Sequence, residues 1–352
     1  MTTTLHPFTL DLERPLSTAD GAIEERRGFL VGVEQSLNGE AVCGVGEATP
    51  LPGWTESLED CEAALRGAPD DWKRVDAGSE ERSSTPAARH GYRLAVLDAE
   101  ARSQNRSLAA LLAERVGFPE PADSVPVNAT VGDGSVEETV AAAREAVDAG
   151  FGTVKLKVSV RGLEADIDRV RAVREAIDAA VRVDANGAWD RETAEEAVNA
   201  FASLGVEYVE QPLPPGSLAG LADLRGRRVD IAVDESVGEC GVDAVLDAGA
   251  ADVAVLKPMA LGGPDVAIDA ARRLLDGGVD PVVTTTIDGA VARAGTVHVA
   301  AAIPGVRACG LATRDLLASD LGPDPVPVID GEIAVPDGPG NVGTAFDGRL
   351  WD

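Results

Sequence analysis

Apolar and polar residues alternate through "LHPFTLDL" (5–12), the period of two that marks a half-buried strand. Residues 28–48, "GFLVGVEQSLNGEAVCGVGEA", hold two apolar runs separated by Asn38-Gly39. That dipeptide predicts a type I′ hairpin, because both of its residues tolerate a positive φ. Helical periodicity follows near 56–67 and 86–115, with the polar loop "AGSEERSSTP" between them. From about residue 125 short apolar strands alternate with amphipathic helices. "SVEETVAAAREAVDAG" (135–150) begins with a capping box of Ser135 and Glu138. It places Val136, Val140, Ala143 and Val147 on one face and stops at Gly150. "DRETAEEAVNAFASLG" (190–205) repeats the design, with Asp190 as N-cap and Gly205 as stop.

The strands in this second part end near Ala129, Lys157, Asp184, Glu210, Asp234, Lys257, Thr284 and Gly310, between 23 and 28 residues apart. Eight even βα units predict an α/β fold of the (β/α)8 barrel type and favour closure over a doubly wound sheet. The expected division is an N-terminal α+β capping domain, 1–120, and a barrel domain, 121–321. The tail, 322–352, carries a hairpin at Asp330-Gly331 and is expected to pack back on the first domain.

Composition narrows the function. The chain has 352 residues, 60 of them acidic against 31 basic, for a formal net charge of −29. Such a surface repels nucleic acid and anionic membrane. The acid is spread through the helices, and arginine far outnumbers lysine, which reads as a hydrated surface suited to high salt. No apolar run approaches the 18 residues of a membrane span, and the first residues lack the basic start of a signal peptide, so a cytoplasmic location is expected. Cys43, Cys61, Cys240 and Cys309 show no metal spacing and read as small buried hydrophobes in a reducing compartment. His6, His90 and His298 read as structural.

Chemistry gathers where the barrel strands end. "TVKLK" ends in Lys157, "VRVD" in Asp184, "VEYVE" in Glu210, "DIAVD" in Asp234 and "DVAVLK" in Lys257. Active sites of such barrels lie at this end. Single carboxylates such as Glu192 or Asp243 are surface groups, but a carboxylate closing an apolar run is partly buried and needs compensation. Asp184, Glu210 and Asp234 suit Mg2+, with Mn2+ as the alternative, because hard cations prefer oxygen ligands. Lys155 and Lys157 share one side of their strand, so Lys155 is placed to lower the pKa of Lys157. Lys257 comes from across the barrel. Two lysines about a metal-bound carboxylate suit removal of a proton α to that carboxylate. The chain contains only four lysines, Lys73, Lys155, Lys157 and Lys257. Scarcity everywhere else strengthens the catalytic reading, since arginine cannot serve as a base.

Taken in order, "KLK", "DANGAW", "VEQPL", "VDES" and "LKPMALGG" resemble the enolase superfamily in its muconate-lactonizing-enzyme subgroup. The resemblance runs the whole chain. Three further stretches, "GEATPLPGWTES", "RVDANGAW" and "TTTIDGAVARAGTVHVAAAIP…GLATRDLL", narrow it to a branch that syn-dehydrates a succinyl-bearing hydroxycyclohexadiene carboxylate. The resemblance then implies Lys157 as base and later acid, and Lys257 as the facing cation. It implies Asn186 and Glu235 behind the metal ligands, and Lys155 and Arg182 as auxiliary cations. Thr284, Thr285, Thr286 and the backbone near Gly310 are expected at the succinyl end, under the capping loops 17–21 and 50–54. Ala312 stands where the resemblance leads one to expect an acidic residue. Trp54 and Trp189 fit core packing or substrate contact equally. Racemisation or epimerisation of N-acylated amino acids or dipeptides would use the same two lysines and remains the alternative. A cycloisomerase and a non-catalytic barrel rank below it.

Overall fold

The computed structural model describes residues 2–18, 21–37, 40–67 and 83–343. The hairpin turn at Asn38-Gly39, Lys73 and residues 19–20 of the first capping loop lie outside the described residues.

Three antiparallel strands open the chain, β1 (Thr2–Thr18), β2 (Gly21–Leu37) and β3 (Glu40–Ala48), paired in that order. Helices α1 (Leu58–Gly67), α2 (Pro86–Ser103) and α3 (Leu108–Val116) follow, so the long helical pattern at 86–115 is broken in two. Phe29, Val31 and Val33 of β2 bury against Tyr92 and Ala95 of α2. The helix comes close because β3 carries Gly46, where a methyl group would collide with the Gly91 carbonyl.

The chain then enters the barrel through β4 (Ser124–Pro126). The parallel strands are β5 (Ala129–Val131), β6 (Thr153–Lys157), β7 (Ala180–Asp184), β8 (Tyr208–Glu210), β9 (Asp230–Val233), β10 (Val253–Leu256) and β11 (Asp280–Val283). They pair in sequence order as one seven-stranded sheet. Most of their residues are apolar and buried, among them Val154, Leu156, Val181, Val183, Val209, Ile231, Val255 and Val282, as expected of strands covered on both faces. The first barrel strand starts at Ala129, where the pattern had suggested an end.

The eighth place holds no regular strand. Cys309 and Gly310 alone bridge Val127 and Thr284, both in parallel, and so join the two edges of the sheet. Gly310 is small because a methyl there would meet Thr284 Oγ1 at 2.5 Å. A 3-10 turn (Arg314–Leu316) follows where an eighth helix would stand.

The crossover helices include α4 (Val136–Asp148), α5 (Leu163–Ala176), α6 (Arg191–Ser203), α7 (Leu218–Leu224), α8 (Glu235–Cys240), α9 (Val242–Ala248), α10 (Pro258–Leu261), α11 (Pro264–Asp276) and α12 (Ala290–Ala302). The capping box of α4 is present in both directions, Ser135 Oγ accepting from Glu138 N and Glu138 Oε2 from Ser135 N. Its buried face is Thr139, Ala143 and Ala146, so Val136 is turned to solvent. Asp190 caps α6 by accepting from Thr193 N at 2.9 Å.

The tail forms β12 (Val328–Ile329) and β13 (Glu332–Ala334) around Asp330 and Gly331, both at positive φ. β13 pairs with β4 beneath the barrel, not with the first sheet. Among the described residues of the tail, Gly340, Asn341 and Gly343 reach α2 and the turn before α3, through the Arg106 carbonyl, Asp98 Oδ1 and Arg102. Cys43 is exposed, unlike the buried Cys61 and Cys309.

Candidate active site

Lys157, Asp184 and Glu210 are the last residues of β6, β7 and β8. Asp234 and Lys257 directly follow β9 and β10. Because side chains alternate along a strand, these five share the inner side of one barrel end. In-register pairing of Lys157 with Asp184, and of Asp184 with Glu210, sets the first three side by side.

The lysines and carboxylates interlock. Lys155 Nζ donates to Asp184 Oδ2 at 3.2 Å and to Glu210 Oε1 at 2.9 Å. Lys157 Nζ donates to the same Asp184 oxygen at 2.7 Å and to Asn186 Oδ1 at 2.9 Å. Lys257 Nζ donates to both oxygens of Asp234. Asn186 Nδ2 in turn donates to Glu235 Oε1 at 3.1 Å, which ties the two expected supporting residues to each other. The Asn186 amide also donates to Asp184 Oδ1, from a backbone held at φ 46°.

The charges respond to this crowding. Burial, with Asp184 and Asp234 adding their charge, pushes Glu210 up to about 7. Burial also opposes the charge of Asp184, but Lys155 and Lys157 overcome it and hold Asp184 well below the usual carboxylate range. Burial likewise works against Lys155, yet Glu210 and Asp184 keep it well above an ordinary lysine. Lys155 is therefore a fixed cation, sharing Asp184 Oδ2 with Lys157.

The donor set fits a hard divalent cation. Glu210 Oε2 and Glu235 Oε2 are buried without a hydrogen-bond partner, and Glu210 carries the electrostatic cost of its carboxylate neighbours. Among the described residues, no three acidic, histidine or cysteine side chains already converge on one point. The lysine ammoniums hold the carboxylate oxygens instead.

Other expected residues lie elsewhere. Arg182 is one inward step below Asp184 and does not reach the mouth. It pairs with Glu207 at 2.7 Å, donates to the Ala308 carbonyl and lies 4.6 Å from the Tyr208 ring centroid. This corrects its expected place as a site cation: two residues down an inward-facing strand, its guanidinium reaches the opposite barrel end. Thr284 Oγ1 donates to the Gly310 carbonyl at 2.8 Å, and Thr285 shares a hydrogen bond with Thr313. Thr286 is buried and its hydroxyl donates to buried Asp288. Trp189 is buried against Phe201, which favours its core reading. His90 and His298 are buried and hydrogen-bonded to backbone, at the Glu47 and Asn341 carbonyls, whereas His6 is exposed on β1.

Two residues escaped the sequence reading. Gln211, at φ 40°, accepts from the amides of Asp234 and Ser236 through Oε1 and so fixes the turn that presents Asp234. Its place directly after Glu210 was the available signal. Arg169, far along α5, donates to the Lys157 carbonyl and to Asp133, and no local pattern marked it.

A parallel barrel with ionisable groups on five neighbouring strand ends, beneath an antiparallel sheet, defines an enolase-type α/β protein. The chain belongs to the family described as enolase C-terminal domain-like, whose model matches residues 138–348. Among curated proteins it is similar to the o-succinylbenzoate synthase of Thermobifida fusca, 41% identical over 63% of this chain and 70% of that one. The o-succinylbenzoate synthase of Mycobacterium tuberculosis is 43% identical over 62% of this chain and 66% of its own length. Among solved structures, a dipeptide epimerase from Methylococcus capsulatus, complexed with Mg and L-Arg-D-Lys, superposes with a TM-score of 0.82. It is 28% identical and covers 97% of this chain and 98% of that one.

Proposed function

We propose that the chain is an o-succinylbenzoate synthase, a lyase that syn-dehydrates 2-succinyl-6-hydroxy-2,4-cyclohexadiene-1-carboxylate to 2-succinylbenzoate in menaquinone biosynthesis. The observation that carries the reading is the lysine–carboxylate lattice across β6 to β10, in a chain 41% identical to a synthase of that name. Asp184, Glu210 and Asp234 would hold Mg2+, the metal found with the Methylococcus epimerase. The bound cation supplies Lewis-acid stabilisation of negative charge on the substrate carboxylate.

Lys157 removes the proton α to the ring carboxylate and returns it to the departing hydroxyl on the same face. Its partners Asp184 and Asn186 aim the amine. Lys257 faces it from the opposite wall and stabilises the anionic intermediate. Thr284, Thr285 and the backbone at Gly310 border the succinyl end. The capping unit, 1–120, closes the barrel unit, 121–321. The acidic surface suits a cytoplasm of high salt.

Replacing Lys157 by Ala should cut turnover by about a thousandfold, the scale of a lost general base, with the fold intact by circular dichroism. A variant near the normal rate would remove the base assignment. The second reading, racemisation of N-succinyl amino acids or dipeptides, rests on the opposed lysines and the epimerase likeness. Turnover of those substrates without dehydration of the cyclohexadiene would move the function there.

A further inference from the structure

From the capping domain, Trp54 lies against Lys257. Its ring centroid lies 3.5 Å from Lys257 Nζ. The indole also fits against α8, where a methyl at Gly238 would stand 3.2 Å from Trp54 Cζ3. Gly238 lies four residues after Asp234, so the indole is seated between the strand end that carries Lys257 and the turn that carries Asp234.

The loop that presents Trp54 is built for it. Leu51 O accepts from the amides of Trp54 and Thr55 at 3.0 and 2.9 Å, and Leu51 N donates to Thr55 Oγ1 at 2.8 Å. Gly53 turns the chain at φ 85°. The root of the loop is bolted by buried Arg26, whose guanidinium donates to the carbonyls of Thr49 and Pro50. Its third bond goes to the carbonyl of Ile287, at 3.2 Å on the barrel side.

We propose that Trp54 is a positioning residue that acts through Lys257, holding and shielding its ammonium. Loop 50–54 therefore serves the catalytic wall as well as the succinyl end. A lysine amine sits on a flexible four-carbon stem, and one partner alone does not fix it. Asp234, the acidic partner that Lys257 hydrogen-bonds among the described residues, is also assigned to the metal. The indole face does not compete for that carboxylate, attracts the cation and excludes water from one side of it. The proposal rests on the catalytic assignment of Lys257 made above.

The test uses the magnesium-loaded full chain, whose four lysines make acetylation with an N-hydroxysuccinimide ester easy to follow by mass spectrometry. In Trp54→Leu, acetylation of Lys257 relative to Lys155 should rise about fivefold, and kcat should fall about tenfold with KM changed less than about threefold. Trp54→Phe, which keeps an aromatic face, should stay near wild type in both measurements. Gly238→Ala, which displaces the indole without removing it, should move both in the direction of Trp54→Leu. Unchanged acetylation in Trp54→Leu overturns the proposal, as does a loss confined to KM, which would make Trp54 a substrate wall. Raised acetylation with unaltered kcat overturns it equally. If Lys257→Ala keeps full turnover, the catalytic reading fails on its own, while the acetylation comparison still judges the Trp54–Lys257 contact.

Discussion

Asp184 is shared by two amines, and that sharing separates their tasks. Lys155 spends its donors on two carboxylates and stays charged, whereas Lys157 has one carboxylate and an amide, nearer the mouth. Of the three assigned ligands, Glu210 is the one left with a buried oxygen that lacks a partner, and its proton affinity is raised to about 7. A cation binding there must displace that proton, so its affinity should grow as pH rises through 7. Mg2+ at about 100 times its Kd should add about 2.7 kcal/mol of unfolding free energy at pH 8. At pH 5.5 the same concentration should add clearly less, as read from urea midpoints with and without chelator. Equal increments at both pH values would remove Glu210 from the ligand set.

At the scale of elements, β3 and α2 show how closely two layers can be set by glycine. Gly46→Ala should lower stability by roughly 3 kcal/mol, visible as a lower urea midpoint, because neither backbone can yield without breaking its ladder. An unchanged midpoint would mean that the layers slide freely. Much of this level was legible in the sequence. The capping box at Ser135, the N-cap Asp190 and the strand ends at Lys157, Asp184 and Glu210 are local signals, each written within a few residues. What was not legible depends on distant partners. The tail pairs with β4 because Gly150 and Gly331 meet closely beneath the barrel, and no periodicity records that meeting. Arg182 had the right strand and the right side for the site, but depth within the barrel sent it to Glu207. The bond of Thr286 to Asp288, two residues on, was equally unwritten in the pattern.

For the molecule as a whole, the joint between capping sheet and barrel is a titratable one. Glu47 of β3 accepts from the amides of Gly289 and Ala292 at the start of α12, at 2.7 and 2.8 Å. Burial, with Asp288 beside it, pushes its carboxyl up to about 7 from an ordinary 4.5. A folded-state value above the unfolded one means stability that is full below pH 4.5 and lost as pH rises through 7. The loss is roughly 3 kcal/mol. Glu47→Gln should therefore gain on the wild type in denaturant midpoint between pH 5 and pH 8, and a constant gap would place the charge elsewhere.

The barrel itself is a sheet fastened by a clasp. Along β6 and β7 five residue pairs hold neighbours together, but the ring closes through Cys309 and Gly310 alone. Local opening of this barrel should therefore include the seam between β5 and β11, and amide exchange there should be fast. Thr284 and Gly310, which border the proposed succinyl site, are parts of that clasp. A ligand seated on them would tighten the ring, so substrate binding should slow amide exchange at the seam that the short eighth strand leaves open.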